Sequence, residues 1–178
     1  MEKMNFLVRK AVVEDVEEIR ILARDSYRMY TENAGITEMV TSLNESYEDV
    51  KMEVQTKEVF VAIFNEKVIG SLRVEIKPDK TAYLSKFGIS VLYQNNGVGK
   101  MLMSAVDDSM KMLGIDCIYL HTASRMFSLV KFYYEGGYYI ESTTKDRGYI
   151  RALLCKEYKT EQVENALYTD YESLSAVL

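Results

Sequence analysis

The segment QNNGVGKMLM, residues 94–103, places two glycines, two asparagines and a lysine just before an apolar helical pattern. Where a strand turns into a helix N-terminus, several backbone N–H groups lack intrahelical acceptors and carry the positive end of the helix dipole. Glycine lets an oxyanion approach such a backbone closely, because no Cβ occupies the space. We therefore expect a phosphate or pyrophosphate ligand here. The residues expected to bind it are Gln94, Asn95, Asn96, Gly97, Val98, Gly99 and Lys100.

Two common phosphate-binding motifs are excluded by their spacing. The Walker A motif requires glycine five residues before Gly99, where Gln94 stands, and Ser or Thr in place of Met101. The dinucleotide-binding motif G-x-G-x-x-G requires a third glycine, and none follows Gly99 at that distance. An ATPase, a kinase and a dinucleotide-binding enzyme are therefore disfavoured. The pattern Q-x-x-G-x-G alone also fits a purely structural turn.

Hydrophobic periodicity predicts one mixed α/β domain with the order β-α-α-β-β-β-α-β-α-β-β. Helices are predicted over 12–30, 41–55, 98–113 and 125–136, and Gly114 is a predicted C-cap. Strands are predicted over 5–11, 58–64, 67–77, 81–91, 117–123, 138–142 and 149–158. We assign residues 1–160 to the domain and 161–178 to a C-terminal extension. The apolar stripe of that extension predicts a helix, either docked or frayed or in contact with a second copy.

Composition limits the class of protein. The net charge of −5 and the pI near 5.1 argue against nucleic acid and anionic membranes as partners. No apolar stretch approaches the ~20 residues of a membrane span, so a cytoplasmic protein is expected. Cys117 and Cys155 lie in apolar runs and are predicted to be buried, reduced thiols. His121 is the single histidine, and without Cys/His ligand spacing we expect no metal site.

The chain resembles the GNAT superfamily of acyl-CoA-dependent N-acetyltransferases from about Phe6 to Tyr158. Gln94, Gly97 and Gly99 match the [RQ]-x-x-G-x-[GA] motif of that superfamily, which lies between its fourth strand and the following helix. Residues 8–19 resemble its opening strand and helix, and residues 59–74 its second and third strands. Residues 131–142 resemble its Y-x-x-x-G-[FY] segment, with Tyr133 four residues before Gly137.

This resemblance implies a fold and an activity. The fold is a mixed, mostly antiparallel sheet of about seven strands flanked by about four helices. The glycine turn would hold the pyrophosphate of acetyl-CoA, and Phe87, Gly88 and Ile89 would line the pantetheine arm. Gly88 also fits a simple bulge, since glycine weakens a strand interior. A backbone N–H near Ile89 would stabilise the oxyanion, and Tyr133 would protonate the leaving sulfur.

The general base is the weakest part of the match. Relatives often carry Glu or Asp on the fourth strand, but residues 81–90 contain no carboxylate. His121 and Glu75, on neighbouring strands, are the candidates, and an ordered water is a third possibility. Each also has an ordinary interpretation, as a satisfied strand histidine and as an exposed charge.

The predicted activity is transfer of an acetyl group from acetyl-CoA to a primary amine of a small molecule, protein or peptide. The alternative, motivated by the missing carboxylate, is an acyl-CoA-binding module that catalyses little and acts as a sensor or partner-binding protein. Residues in or near the first two helices offer a surround for a cationic amine, although they also fit ordinary surface positions. These residues are Tyr27, Tyr30, Tyr47, Glu32 and Glu38. A homodimer is compatible with this interpretation.

Overall fold

A computed structural model describes residues 5–36 and 44–158 and contains the predicted order of elements. The helices are α1 (Val16–Ala34), α2 (Tyr47–Thr56), α3 (Val98–Met112) and α4 (Phe127–Glu135). The strands are β1 (Leu7–Lys10), β2 (Glu58–Phe64), β3 (Lys67–Ile76), β4 (Thr81–Ile89), β5 (Cys117–Ala123), β6 (Tyr139–Thr144) and β7 (Arg151–Glu157). The predicted extension 161–178 lies outside the described residues.

The seven strands form a single open sheet in the order β1-β2-β3-β4-β5-β7-β6. Neighbouring strands are antiparallel except β4 and β5, which are parallel. The sheet is therefore mixed and mostly antiparallel, as predicted. The β4–β5 register covers only Thr81–Tyr83 against Cys117–Tyr119. Beyond these residues the two strands have no register with each other, so the middle of the sheet opens.

Helices cover both faces of the sheet. Alternate residues of each strand point to opposite sides, and apolar residues on both sides are buried against helices. On β2, Val59 and Val61 pack with Val16, Ile19 and Val50 of α1 and α2. Phe60 and Ala62, the residues between, belong to the larger core on the other face. That core joins α3 and Tyr133 of α4 to the sheet, and its strand residues are Phe60, Ala62, Leu72, Val74, Ala82, Leu84, Ile118, Leu120, Ala152 and Leu154.

Several predicted boundaries were wrong. The first helix begins at Val16, after a 3-10 turn at Val13–Asp15, and ends at Ala34. The second helix begins at Tyr47, because Ser46 caps it and exchanges hydrogen bonds with Asp49, which donates its N–H to Ser46 Oγ over 3.2 Å. Asn44 and Glu45 therefore precede the helix, and residues 41–43 lie outside the described part of the chain. The predicted direct turn from β4 into α3 is also incorrect. A 3-10 turn at Val91–Tyr93 lies between them, followed by the glycine turn.

A β-bulge interrupts β4 at the point where it leaves β5. Ser85 pairs with Arg73 and Gly88 with Ser71, so Lys86 and Phe87 both oppose Leu72. Lys86 has a φ of 53°, which is uncommon for a residue other than glycine. The bulge redirects the end of β4 and with it the side chains of Lys86 and Phe87.

The two cysteines are free, and their environments differ. Cys155 is buried, as predicted, whereas Cys117 is only partly buried, so that half of the prediction was wrong. None of the described helices combines the length and the apolar character needed to cross a membrane.

Candidate active site

The N-terminus of α3 presents backbone N–H groups without acceptors. The first intrahelical bond runs from Met101 N–H to Gly97 O, and no side chain caps the helix. The N–H groups of Val98, Gly99 and Lys100 therefore have no hydrogen-bond acceptor among the described residues. The first turn of α3 contains no acidic residue, whereas α1 and α2 each carry two there. This helix end is suited to an anion from outside the chain.

The glycines of the turn serve different purposes. Gly97 has a φ of +82°, in the left-handed region, and a Cβ built on it would meet nothing within 4 Å. A Cβ on Gly99 would lie 3.1 Å from Ile89 Cδ1 and 3.2 Å from Phe132 Cζ. Gly97 thus leaves the helix end open, while Gly99 lets α3 pack closely against β4 and α4.

The polar residues of the turn brace it internally. Gln94 Nε2 donates to the carbonyl of Ile89 over 3.4 Å, and Asn96 Nδ2 donates to the carbonyl of Gln94 over 3.0 Å. Asn95 has a φ of 62°, a conformation that asparagine tolerates well. Lys100 is exposed and lies 3.6 Å from Glu135 of α4. These contacts hold the turn in the shape that exposes its N–H groups.

A cavity of about 490 Å³ opens where β4 and β5 part. Leu84, Leu120 and Leu129 line it on the α3–α4 face, together with Thr122 and Tyr133. The following residues line it on the α1 face or beside it: Ser26, Tyr27, Tyr30, Tyr83 and His121. The cavity therefore passes through the sheet. Its size suits a small ligand.

Tyr133 borders this cavity and also a second one, of about 230 Å³, between α3 and α4. Its side chain is almost fully buried against Phe87, Phe132 and Tyr138. Burial raises the pKa of its hydroxyl, and the nearby Tyr30 and Tyr27 raise it further. The hydroxyl is therefore protonated at neutral pH and can donate a proton.

His121 lies in the same cavity, with its Nδ1 2.9 Å from Tyr83 Oη. Burial lowers the pKa of His121 below its ordinary value of 6.5, Arg151 and Arg147 lower it further, and Asp146 opposes them. The imidazole is therefore mostly neutral at pH 7 and can accept a proton. Burial also raises the pKa of Tyr83, so its hydroxyl stays protonated beside the ring.

Glu75, the other candidate base, does not line this cavity. Its carboxylate is about half exposed and lies 3.3 Å from Lys57 Nζ. Of the residues predicted for the pantetheine arm, Phe87 lines the cavity, whereas Gly88 packs against α1. A Cβ on Gly88 would lie 2.6 Å from Ser26 Oγ, so the close approach there is to a helix of the same chain.

Of the predicted acceptor surround, Tyr27 and Tyr30 line the cavity, and Tyr30 Oη accepts a 2.7 Å hydrogen bond from Ala123 N–H. Tyr47 and Glu32 do not line it, and Glu38 lies outside the described residues. Lining residues that the sequence did not indicate include Tyr83, Lys86, Thr122, Arg147, Tyr149 and Arg151. No direct sequence signal indicated these residues, although each lies on or beside β4, β5 or β7, the strand of His121 and its two neighbours.

Thr122 is the clearest of the missed residues. It is 3% exposed, and its hydroxyl has no hydrogen-bond partner among the described residues. A buried polar group without a partner is costly, and here it borders a cavity. The hydroxyl oxygen itself is fully buried, so this unpaired group lies within the wall of the cavity. Within the described ranges, no group of three or more His, Cys, Asp or Glu side chains could hold a metal ion.

Comparison with known proteins agrees with this geometry. The profile of the acetyltransferase (GNAT) family matches residues 16–138. A search of curated proteins returned no significant match. Among solved structures, the PaiA N-acetyltransferase of Thermoplasma acidophilum, in complex with coenzyme A, is 23% identical with a TM-score of 0.77, covering 87% of this chain and 100% of its own.

Two further structures share the fold at lower identity. The ribosomal-protein-alanine N-acetyltransferase of Brucella melitensis is 13% identical, with a TM-score of 0.70, over 85% of this chain and 99% of its own. The IAA acetyltransferase of Bacillus cereus is 18% identical, with a TM-score of 0.61, over 86% of this chain and 100% of its own. At these identities the likeness concerns the fold.

Proposed function

The chain belongs to the acetyltransferase (GNAT) family, and from this premise we propose that it transfers an acetyl group from acetyl-CoA to a primary amine. The family implies acyl-CoA-dependent N-acetyltransferase activity in general. The observation that carries the specific proposal is the cavity through the sheet, which has an acid, Tyr133, on one face and a base, His121, on the other. Two substrates entering from opposite faces would meet between these groups.

Acetyl-CoA binds with its pyrophosphate at the N-terminus of α3. The N–H groups of Val98, Gly99 and Lys100 donate to the phosphate oxygens, and the open space at Gly97 admits them. Gln94, Asn95 and Asn96 keep the turn in shape. The pantetheine arm follows the end of β4, past Phe87, Gly88 and Ile89, into the gap between β4 and β5. Coenzyme A in the Thermoplasma acidophilum structure supports this ligand class.

His121 removes the proton from the attacking amine. The nitrogen forms a bond to the acetyl carbon, and the proton it loses goes to the imidazole nitrogen not bonded to Tyr83. The negative charge that develops on the thioester oxygen is stabilised by a backbone N–H near Ile89. Glu75 has no part in this scheme.

Tyr133 protonates the leaving group. The carbon–sulfur bond breaks as the new carbon–nitrogen bond completes, and the thiolate of CoA takes the proton of the Tyr133 hydroxyl. The tyrosinate then recovers a proton from solvent or from the imidazolium, so the balance is acetyl-CoA plus amine to acetylamide plus CoA. The Tyr133 hydroxyl is protonated at neutral pH, as this role requires.

The test begins with calorimetric titration of the protein with acetyl-CoA. A thiol-release screen of amino acids, peptides, polyamines and aminoglycosides follows. We expect binding, and turnover with at least one amine class. Binding without turnover across the panel would favour the acyl-CoA-binding module, and no binding at millimolar acetyl-CoA would refute both.

The role of Tyr133 is tested by comparing Tyr133→Phe with Tyr134→Phe. Loss of a general acid is expected to lower kcat about a hundredfold or more while acetyl-CoA affinity is unchanged. Tyr134, the adjacent residue on α4, is half exposed, lines neither cavity, and serves as the control. Equal activity of the two variants would contradict the assignment of the acid.

A further inference from the structure

The charged side chains that line the cavity are basic. Lys86, Arg147 and Arg151 carry formal positive charges, and no carboxylate from the described ranges lines the cavity beside them. The chain as a whole has a net charge of −5, so the cavity differs in sign from the molecule. A polyamine would bring further positive charge next to these cations, which is electrostatically unfavourable.

The three cations differ in how far the protein already neutralises them. Arg151 is paired with Asp146, over 3.0 Å from its Nε and 2.5 Å from its Nη2. Lys86 lies 3.3 Å from Glu45, but Glu45 also binds Arg73 through two hydrogen bonds of 2.9 and 3.1 Å. Arg147 forms no salt bridge with any carboxylate in the described part of the chain.

Packing fixes the position of Lys86. It stands in the β4 bulge at a φ of 53°, with its Nζ 5.3 Å from the centre of the Tyr27 ring. Burial lowers the pKa of Lys86, and Glu45 counteracts this effect. The ammonium is thus partly desolvated and held in one position on the wall of the cavity, where an anion could form a charge-assisted hydrogen bond with it.

Arg147 approaches from a different wall. It belongs to the connection between β6 and β7, on which Tyr149 also lines the cavity. Lys86 comes from β4, so the two cations reach the cavity from separate elements. His121 and Tyr83 line the same space. An anionic group bound by these cations would therefore occupy the same cavity as the base.

We propose that the amine acceptor carries an anionic group, a carboxylate or a phosphate, which pairs with Lys86 and Arg147. This inference rests on the proposed function of the same cavity, and it replaces the cationic surround expected from the acidic residues near the first two helices. The acceptor class is therefore an amino acid, a peptide end or an amine phosphate, and not a polyamine or an aminoglycoside.

The experiment compares amines that differ only in the anionic group. Lysine with cadaverine, ornithine with putrescine and tyrosine with tyramine test the carboxylate, and phosphoethanolamine with ethanolamine tests the phosphate. Thiol release from acetyl-CoA gives kcat/KM for each. We expect the anionic member of at least one pair to be favoured about tenfold or more. The pair with the largest ratio of kcat/KM values shows whether the preferred anionic group is a carboxylate or a phosphate.

Two variants assign the preference to its residues. Arg147→Gln and Lys86→Gln should each reduce the ratio within the preferred pair about tenfold, with acetyl-CoA affinity unchanged. Lys111→Gln, at the exposed end of α3 and away from both cavities, is the matched charge control. Arg147 is exposed, so its variant folds even if the network around Lys86 does not tolerate substitution.

The outcome separates the two proposals. Turnover that is equal for both members of every pair, or a ratio unaffected by Arg147→Gln, would overturn this inference and leave the acetyltransferase intact. If no pair is turned over, the same compounds are titrated calorimetrically in the presence of CoA. Tighter binding of the anionic members, lost in Arg147→Gln, would still support the inference, and equal binding would overturn it.

Discussion

At the scale of single residues, Gly88 and Gly99 lack side chains because neighbouring residues occupy the space. Ser26 of α1 faces Gly88, and Phe132 of α4 faces Gly99. These glycines let helices on opposite faces of the sheet approach β4 closely. The shape of the cavity therefore depends on these close contacts between β4, α1, α3 and α4.

Gly88→Ala is expected to destabilise the protein by about 1–3 kcal/mol, because its Cβ would lie 2.6 Å from Ser26 Oγ and 2.8 Å from Ser26 Cβ. Ser26→Gly removes both obstacles, and the next atom, Leu22 O, is 4.0 Å away. Urea unfolding of the two single variants and the double variant gives the coupling. Gly88→Ala should cost much less in the Ser26→Gly background. Purely additive costs would show that Ser26 is not the obstacle.

His121 predicts a particular pH dependence. Its pKa is lowered below 6.5 in the folded protein, so the neutral, proton-accepting form is lost only at pH values below 6.5. The unfolded chain binds this proton more readily, so the same titration also makes stability fall with falling pH below 6.5. Both effects have the same sign: acid weakens activity and folding.

The measurement is log(kcat/KM) against pH for the wild type and for His121→Gln. The acceptor amine alone contributes a slope of about one on the acid side, because only its neutral form attacks. Below the pKa of His121 the wild-type slope should increase by about one, and the variant should lack this increase and be about a hundredfold slower. A variant with the wild-type profile would exclude His121 as the base.

At the scale of elements, α3 differs from α1 and α2 at its start. Helices α1 and α2 neutralise their N-terminal dipoles with acidic side chains, and α2 also has a capping box. Helix α3 has neither, and it begins at a left-handed glycine with open space around it. A helix end left in this state is stabilised by an external anion.

Gly97→Ala should therefore weaken acetyl-CoA binding about tenfold or more. Alanine is strained at the φ of +82° that Gly97 adopts, and relief of this strain would move the N–H groups at the start of α3. Each hydrogen bond from such a group to a charged ligand contributes about 1.5–3 kcal/mol. Gly114→Ala is the matched control. Gly114 follows the other end of α3, at a φ of +65°, also with nothing within 4 Å. Both variants should lose similar stability, by about 1–2 kcal/mol. Calorimetric affinities that fall equally in both would indicate a general effect on the helix.

At the scale of the whole molecule, the cavity results from the parting of two parallel strands. The β4–β5 register ends at Tyr83 and Tyr119, and each strand continues with a different partner, β3 or β7. Helices on both faces then close the gap with Tyr27, Tyr30 and Tyr133. Under the proposed function, this opening through the sheet would bring the two substrates together without a domain movement.

The predicted domain boundary leads to a test of the C-terminal extension. Removing residues 161–178 should leave the urea midpoint and the acetyl-CoA affinity unchanged, because the strands and the cavity lining of the described residues all precede residue 159. Sedimentation of the full chain and the shortened chain would detect a dimer contact in the extension. A lower midpoint or weaker binding after removal would place the extension within the domain.

Much of the architecture was predictable because its signals are local. Val16, Ile19 and Leu22 repeat at the spacing of a helix face, and all three are buried on α1. The glycine turn indicated an open helix end from its residue types alone. The 3-10 turn at Val91–Tyr93 is too short to carry a clear sequence signal. Ser46 does carry one, because Ser46 followed by Asp49 is the pattern of a capping box, and the predicted start at residue 41 did not take it into account.

The sequence by itself determined the order of helices and strands, the family and the position of the glycine turn, because periodicity and backbone requirements act over a few residues. Only the tertiary structure decided the charge of the cavity. Lys86 is turned by a bulge, and Arg147 arrives from a connection about sixty residues later. Side chains so far apart in the chain meet only through the packing of the sheet, which no local pattern encodes.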